Sequence, residues 1–415
     1  MQLKTILNLV HPIKGFVYES VCWNTQGVSI LVTVRSRKNS RGVCSDCGRS
    51  GPTYDHGRPR RFDFVPLWGL AVVLVYSLRR VNCPSCGVKV ERVPWATGKN
   101  RQTTALQVFL ARWAQRLSWK ETAEVFFVTW DAVFRAVQAV VAYGLAQRNL
   151  DNVTAIGVDE VAWRKGHRYL TLVYQIDAGC RRLLYIAEGR TIRSLLGFFH
   201  KFGRERTSQI RYVCSDMWPA YLKVLAKKTP SALHILDRFH IVAVLNRALD
   251  KVRASEAKRL QAEGYEPVLK KTRWCFMKRR KNLTSGQRLR LKDVLCYDLK
   301  TVRAYLLSQA FDALWSYRSA SWAGKFLDGW IRHVMLSRID PLKKVAKSLR
   351  KHRELILNWF RAKKEFNSGI VEGLNAKAKL AFRKAYGYRT FQAAEVSLYH
   401  QLGHLPEPEL AHRFC

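Results

Sequence analysis

Hydrophobic positions in this chain change period several times, and each change marks an element boundary. Between residues 28 and 35, Ile30, Val32 and Val34 alternate with small or polar neighbours, the period-two signature of a strand with one buried face. From Thr103 to Gly144 the spacing is helical, with Leu106, Phe109, Leu110 and Trp113 on one stripe and Val133, Val137, Val140 and Val141 on another. Between the stripes, Ser118 stands three residues before Glu121, a capping box that opens a short helix. Phe127 to Asp131 reads as the turn and Thr129 to Val141 as a second helix, the shape of a helix-turn-helix with its second N-terminus offered to a major groove. Thr129, Trp130 and Arg135 are the candidate contacts there. An ordinary three-helix packing unit gives the same pattern.

Strand periodicity returns at Ala155–Trp163, Tyr169–Asp177 and Arg182–Ala187, which predicts an antiparallel meander. A helix (Ile192–Phe202), a strand (Ile210–Cys214), a helix (Met217–Lys227) and a strand (Ala232–Leu236) follow. Three strands and then alternating helix and strand is the order of an RNase H-like fold. After Asp237 the chain reads as helical to about Phe360, with Trp274, Trp315, Trp322 and Trp330 expected mostly in cores and one of them free to stack on an unpaired base.

Charge sharpens the picture. The 415 residues carry 72 Lys and Arg against 31 Asp and Glu, a net +41, far beyond what solubility requires. Such an excess implies a polyanionic partner. The basic residues are interleaved with 13 Trp, 16 Tyr and 19 Phe in a chain that is 48% hydrophobic, so the partner is bound by folded domains, two to four at this length. The longest apolar run, Val65–Tyr76, is too short to cross a bilayer, and no export signal is visible, so no membrane partner is expected.

Four of the ten cysteines fall in two C-x-x-C pairs, Cys44/Cys47 and Cys83/Cys86, each followed by a glycine that lets backbone amides turn towards thiolate sulfurs. Two such knuckles predict one structural Zn2+ in a zinc ribbon, within a reducing compartment. His56 reads as an exposed loop residue rather than a ligand.

Three acidic residues stand apart from the rest. Asp159 follows the apolar run Ala155–Val158 and Asp216 follows Tyr212–Ser215, which places each carboxylate in or at the end of a strand, the two strands adjacent. Glu372 falls on a helix expected to start near Ser368, with Asn375, Lys379 and Arg383 on its face and Leu374, Ala378, Ala381 and Ala385 opposite. Rigidly held carboxylates suit two Mg2+ or Mn2+ ions that stabilise the attacking and leaving oxygens of phosphoryl transfer.

The segments Ile156–Glu160, Cys214–Tyr221, Asp237–His240, Val371–Lys377 and Ala385–Arg389 together resemble the DDE transposases of the bacterial ISL-three insertion-sequence family. That resemblance implies that Asp159, Asp216 and Glu372 form the metal-binding catalytic triad and that Asp237 and His240 match a D-x-x-H signature, with His240 in the catalytic set. It also implies that the RNase H-like core is interrupted by an all-α insertion. The expected domains of this multidomain α/β chain are a zinc-binding region (1–95), the helix-turn-helix (96–150), the first part of the core (151–240), the insertion (241–360) and the C-terminal core helices (361–415). The expected activity is cleavage and strand transfer of DNA, with terminal inverted repeats and target DNA as partners. Lys379 and Arg383 would contact that DNA, and the chain would act as a homo-oligomer in the cytoplasm, on the nucleoid. A transposase-derived regulator without catalysis and an RNase H-like structure-specific nuclease are the rival readings.

Overall fold

A computed structural model describes residues 2–25, 27–363 and 369–409. The expected N-cap of the Glu372 helix, Ser368, lies outside them. The chain divides into two compact units, residues 1–149 with 380–415, and residues 150–379.

The first unit begins with helix α1 (Leu3–Val10) and builds one sheet from β1 (Phe16–Asn24), β2 (Ser29–Ser36), β5 (Thr53–Leu67), β6 (Leu70–Cys83) and β7 (Gly87–Val90). The order is β1-β2-β6-β5, with β7 on β6; β2 and β6 run parallel and the other pairs antiparallel. Alternate positions Ile30, Val32, Val34, Phe62, Phe64, Val72, Leu74 and Tyr76 turn inward, as the period-two pattern requires, around Trp95. Trp95 packs edge-on against Phe16, Tyr76 and Phe62 at 4.9, 5.4 and 5.8 Å. The apolar run at 65–76 is a hairpin corner rather than one element: Trp68 and Gly69 take positive φ between β5 and β6. His56 is exposed within β5, on a strand and not in a loop. A small pair, β3 (Gly42–Val43) and β4 (Ser50–Gly51), carries the first cysteine knuckle.

Three helices follow: α2 (Thr104–Arg116), α3 (Trp119–Val125) and α4 (Trp130–Gln147). Each is capped by a hydroxyl, from Thr103, Ser118 and Thr129, and the Ser118–Glu121 capping box is closed in both directions. Leu106, Leu110 and Ala136 form their shared core.

In the second unit β8 (Ala155–Arg164), β9 (Arg168–Asp177), β10 (Cys180–Glu188), β11 (Tyr212–Ser215) and β12 (Leu233–Leu236) form a sheet in the order β10-β9-β8-β11-β12. The first three are antiparallel, while β11 lies parallel between β8 and β12. Ala155 to Asp159 of β8 are buried without alternation, because helices cover both faces. Helices α5 (Ile192–Phe202) and α7 (Pro219–Lys228), separated by the short α6 (Arg204–Ser208), bring Leu195, Phe198, Phe199, Tyr221 and Val224 against Ile156, Val158 and Val173.

From β12 the chain enters the long α8 (Arg238–Ala262), then α9 (Arg273–Met277), α10 (Ser285–Leu295), α11 (Lys300–Phe311), α12 (Ala320–Leu336) and α13 (Asp340–Lys351). Phe311, Trp315 and Trp330 are core residues of this helical region, whereas Trp274 and Trp322 are exposed, so half of the four tryptophans expected mostly in cores are on the surface. Helix α14 (Arg353–Arg361) packs on β12, where Asn358 Nδ2 donates to the carbonyl of His234 at 2.8 Å. Helices α15 (Gly369–Lys384) and α16 (Phe391–Leu402) end the chain's regular structure among the described residues. Helix α15 comes so near β8 that a Cβ on Gly157 would lie 2.5 Å from a Val371 methyl, and glycine is the residue that permits the approach. Among the described residues no single helix is long and apolar enough to cross a membrane.

Candidate active site and zinc centre

The parallel register pairs Val158 with Ser215, so Asp159 and Asp216 are the next residues along neighbouring strands. Both face a small cleft lined by Ser215, Leu236, Asp237, Trp359 and Val371. Each carboxylate is held from its own backbone: the Glu160 N–H donates to Asp159 Oδ1 at 2.8 Å, and the Trp218 N–H donates to Asp216 Oδ1 at 3.0 Å. Asp159 Oδ2 accepts a 2.6 Å hydrogen bond from Asn375 Nδ2, and Tyr174 in turn donates its hydroxyl to Asn375 Oδ1 at 2.8 Å. Asn375 is therefore buried on the otherwise polar face of α15, because it spends its amide on the sheet.

Electrostatics fit a site for cations. Burial, opposed by the Glu160 amide and by His240 and reinforced by Asp216, raises the Asp159 carboxyl from an ordinary 3.8 to about 6. Burial likewise raises Asp216, and burial followed by Asp216 and Asp159 raises Glu160 to about 7. Buried carboxylates that repel one another are the donor chemistry a hard divalent ion would stabilise. His240 Nε2 stands 4.0 Å from Asp159 and 3.7 Å from Asp237, whose side chain caps α8 through the Phe239 N–H at 2.7 Å.

Glu372 is exposed on α15, one turn before Asn375 and next to Val371. Lys379 and Arg383 are exposed on the same helix. Asp159, Asp216 and His240 are thus brought together, whereas Glu372 is linked to them only in sharing α15 with Asn375 and Val371. Among the described residues, the acidic groups form no set of three ligand atoms within 4.8 Å; the four cysteines do.

Sulfurs of Cys44, Cys47, Cys83 and Cys86 converge, with Cys47 and Cys83 3.4 Å apart. Gly48 and Gly87 sit at φ of +72° and +70°, the left-handed turn each knuckle needs. The Ser85 amide leads the interactions that lower the Cys83 thiol to about 7, while Cys47 pushes Cys86 up to about 12. Four sulfurs this close are the donor set that one tetrahedral zinc ion would take.

Matches to known proteins decide the family. Residues 156–397 match the ISL3 transposase profile, described as "Transposase", and residues 40–86 match the "zinc-finger of transposase IS204/IS1001/IS1096/IS1165". This chain belongs to the ISL3 family of transposases. The transposase is 29% identical over 350 residues to the transposase for insertion sequence element IS1001 of Bordetella parapertussis, covering 84% of this chain and 85% of that one. It is 30% identical over 395 residues to the transposase for insertion sequence element IS1557 of Mycobacterium tuberculosis, covering 88% and 87%. The zinc ribbon of the transposase is therefore supported both by family and by its four converging sulfurs.

Thr129, Trp130 and Arg135 are exposed at the start of α4, where Trp130 stacks on Phe134 at 5.4 Å and meets Trp119 edge-on. Sequence reasoning did not single out Glu160, Tyr174, Arg190 or Trp218. Only Glu160 carried a local signal, its place beside Asp159 in a buried strand.

Proposed function

We propose that this transposase binds the terminal inverted repeats of its own element and cuts and joins DNA strands there, with Asp159, Asp216 and Glu372 as its catalytic carboxylates. The observation that carries the reading is that Asp159 and Asp216 directly follow the paired Val158 and Ser215 of adjacent parallel strands, with Asn375 tying Asp159 to the helix that bears Glu372. Bound at these carboxylates, two Mg2+ or Mn2+ ions would neutralise charge developing on the attacking and leaving oxygens. Asn375 and the Glu160 amide fix the Asp159 rotamer, and the Trp218 amide fixes Asp216, so little reorganisation is left for the reaction. His240 braces Asp159 and Asp237 from the start of α8.

In this reading α2 to α4 act as a helix-turn-helix that reads the repeats through Thr129, Trp130 and Arg135. The five-stranded sheet is an RNase H-like core, residues 241–360 (α8 to α14) are its insertion, and Lys379 and Arg383 contact DNA. The net charge of +41 supports an extended phosphate footprint. The protein works as a homo-oligomer on DNA in the cytoplasm. The test is incubation of labelled element ends with Mg2+ and mapping of nicks and joined products, with RNA–DNA hybrids and junctions as competing substrates. A nick at the 3′ end of the element, abolished in Glu372→Gln with end binding intact, is expected. Cleavage confined to hybrids or junctions would replace transposition with a nuclease activity.

A further inference from the structure

Arg190 follows β10, and its guanidinium carbon lies over two aromatic rings, 4.3 Å from the Tyr169 ring centre and 4.5 Å from that of Trp218. Trp218 Nε1 also donates to the Arg190 carbonyl at 3.2 Å, and the Trp218 backbone amide is the group that fixes Asp216. A guanidinium in contact with two rings is held in place, and its N–H groups point outward in its own plane. Of the five donors a guanidinium carries, one makes a contact among the described residues: Nη1 lies 3.5 Å from Glu160 Oε1, at the limit of a hydrogen bond. Glu160 Oε2 is buried and accepts no hydrogen bond among the described residues. A guanidinium placed merely to neutralise Glu160 would close on it as a short two-pronged pair. Here it stops short, and the side chain remains about one-third exposed (35%) beside Asp216.

We propose that Arg190 is an oxyanion-binding residue, and that its ligand is a non-bridging oxygen pair of a DNA backbone phosphate flanking the bond held at Asp159 and Asp216. Glu160 sets the plane of the guanidinium, and Tyr169 and Trp218 prevent it from collapsing onto the carboxylates. The planar fork matches a phosphate's two free oxygens, which a lysine ammonium would meet as a point charge only. The inference rests on the transposase reading of the acidic centre.

The test uses the full chain and a labelled duplex copied from the ends of the element that encodes it. Arg190→Ala should slow strand cleavage on the order of a hundredfold and reduce the slope of log affinity against log salt by about one. Arg190→Lys should keep the slope while recovering only part of the rate, and it decides the matter if the alanine variant fails to fold. A scan of neutral methylphosphonates along the duplex should find one position whose substitution weakens wild type but adds no further loss in Arg190→Ala, as expected for two halves of one contact. Wild-type rate and slope in both variants, or losses that add at every methylphosphonate position, would overturn the proposal. Should wild type itself cut nothing, the acidic-centre reading falls, and metal-free binding of the same scanned duplexes still tests Arg190.

Discussion

Replacing Asp159 by Asn should make its unit more stable while ending cleavage. The rise of the Asp159 carboxyl from 3.8 to about 6, at about 1.4 kcal/mol per pH unit, corresponds to about 3 kcal/mol of penalty for keeping it ionised near pH 7. Asparagine removes that penalty but offers one oxygen where two donors, the Glu160 amide and Asn375 Nδ2, now find one each. Losing one of these costs roughly 1–2 kcal/mol, so the net gain expected is about 1–2 kcal/mol. The sign with pH follows from a folded-state value lying above the unfolded one: the carboxyl costs nothing below about pH 4 and its full penalty above about pH 6. The advantage of the variant should therefore vanish on acidification. Amide hydrogen exchange in β8 and β9 reads the stability of this unit separately from the rest of the chain. Mg2+ should slow exchange in wild type and leave the variant unchanged, because ligand binding to the native state adds stability by mass action. A variant no more protected than wild type near pH 7, or a gap that persists near pH 4, would refute the electrostatic reasoning.

Asn375→Ala should destabilise the same unit by roughly 1–3 kcal/mol, since it strands the buried Tyr174 hydroxyl as well as Asp159; unchanged exchange in β9 would show that water replaces the amide without cost. Cys44→Ser in the full chain should lower bound zinc from one equivalent to none by metal analysis and melt the ribbon; zinc retained at full occupancy would contradict a four-sulfur site. DNA affinity should fall roughly a thousandfold or more between about 50 and 200 mM salt if six to ten phosphates are contacted, and a shallow slope would argue against a broad basic footprint. His240→Ala should slow cleavage with melting temperature and end binding unchanged, whereas lost stability with intact specific activity would assign His240 to packing alone.

Elements with strong periodicity were legible before any coordinates: Ile192–Phe202 is a helix over the residues the spacing marks, and the Ser118–Glu121 box closes as read. Strand β5 was not, because Thr53–Arg61 is mostly solvent-facing, with Gly57 and Pro59 in a run of arginines that carries no alternation. Helix α1 does carry a helical period, Leu3, Ile6, Leu7 and Val10, but over eight residues only, and it went unread; β1 shows no clear alternation, most of it being partly exposed. Asp159 and Asp216 could be found because each follows an apolar run. The bonds that orient them could not, although Asn375 was already placed on the Glu372 face of its helix. Asn375 and Trp218 act through pairings that the sheet and helix contacts create, and a lone Asn or Trp in a sequence gives no sign of them. Arg190 was hidden for the same reason among 72 basic residues, its two aromatic neighbours, Tyr169 and Trp218, coming from separate parts of the chain.

The hydrogen bond between Asp159 and Asn375 joins residues 216 positions apart, and it orders events on the ribosome. At roughly 5–20 residues per second, the zinc ribbon and α2 to α4 leave the tunnel on the order of ten seconds or more before α15 does. During that interval the growing polypeptide carries its basic N-terminal surface but no complete acidic centre. The first unit also waits, because residues 380–415 complete it, so both units close only as the last helices emerge. Late completion of the centre gives each new molecule a built-in delay between synthesis and an assembled acidic site.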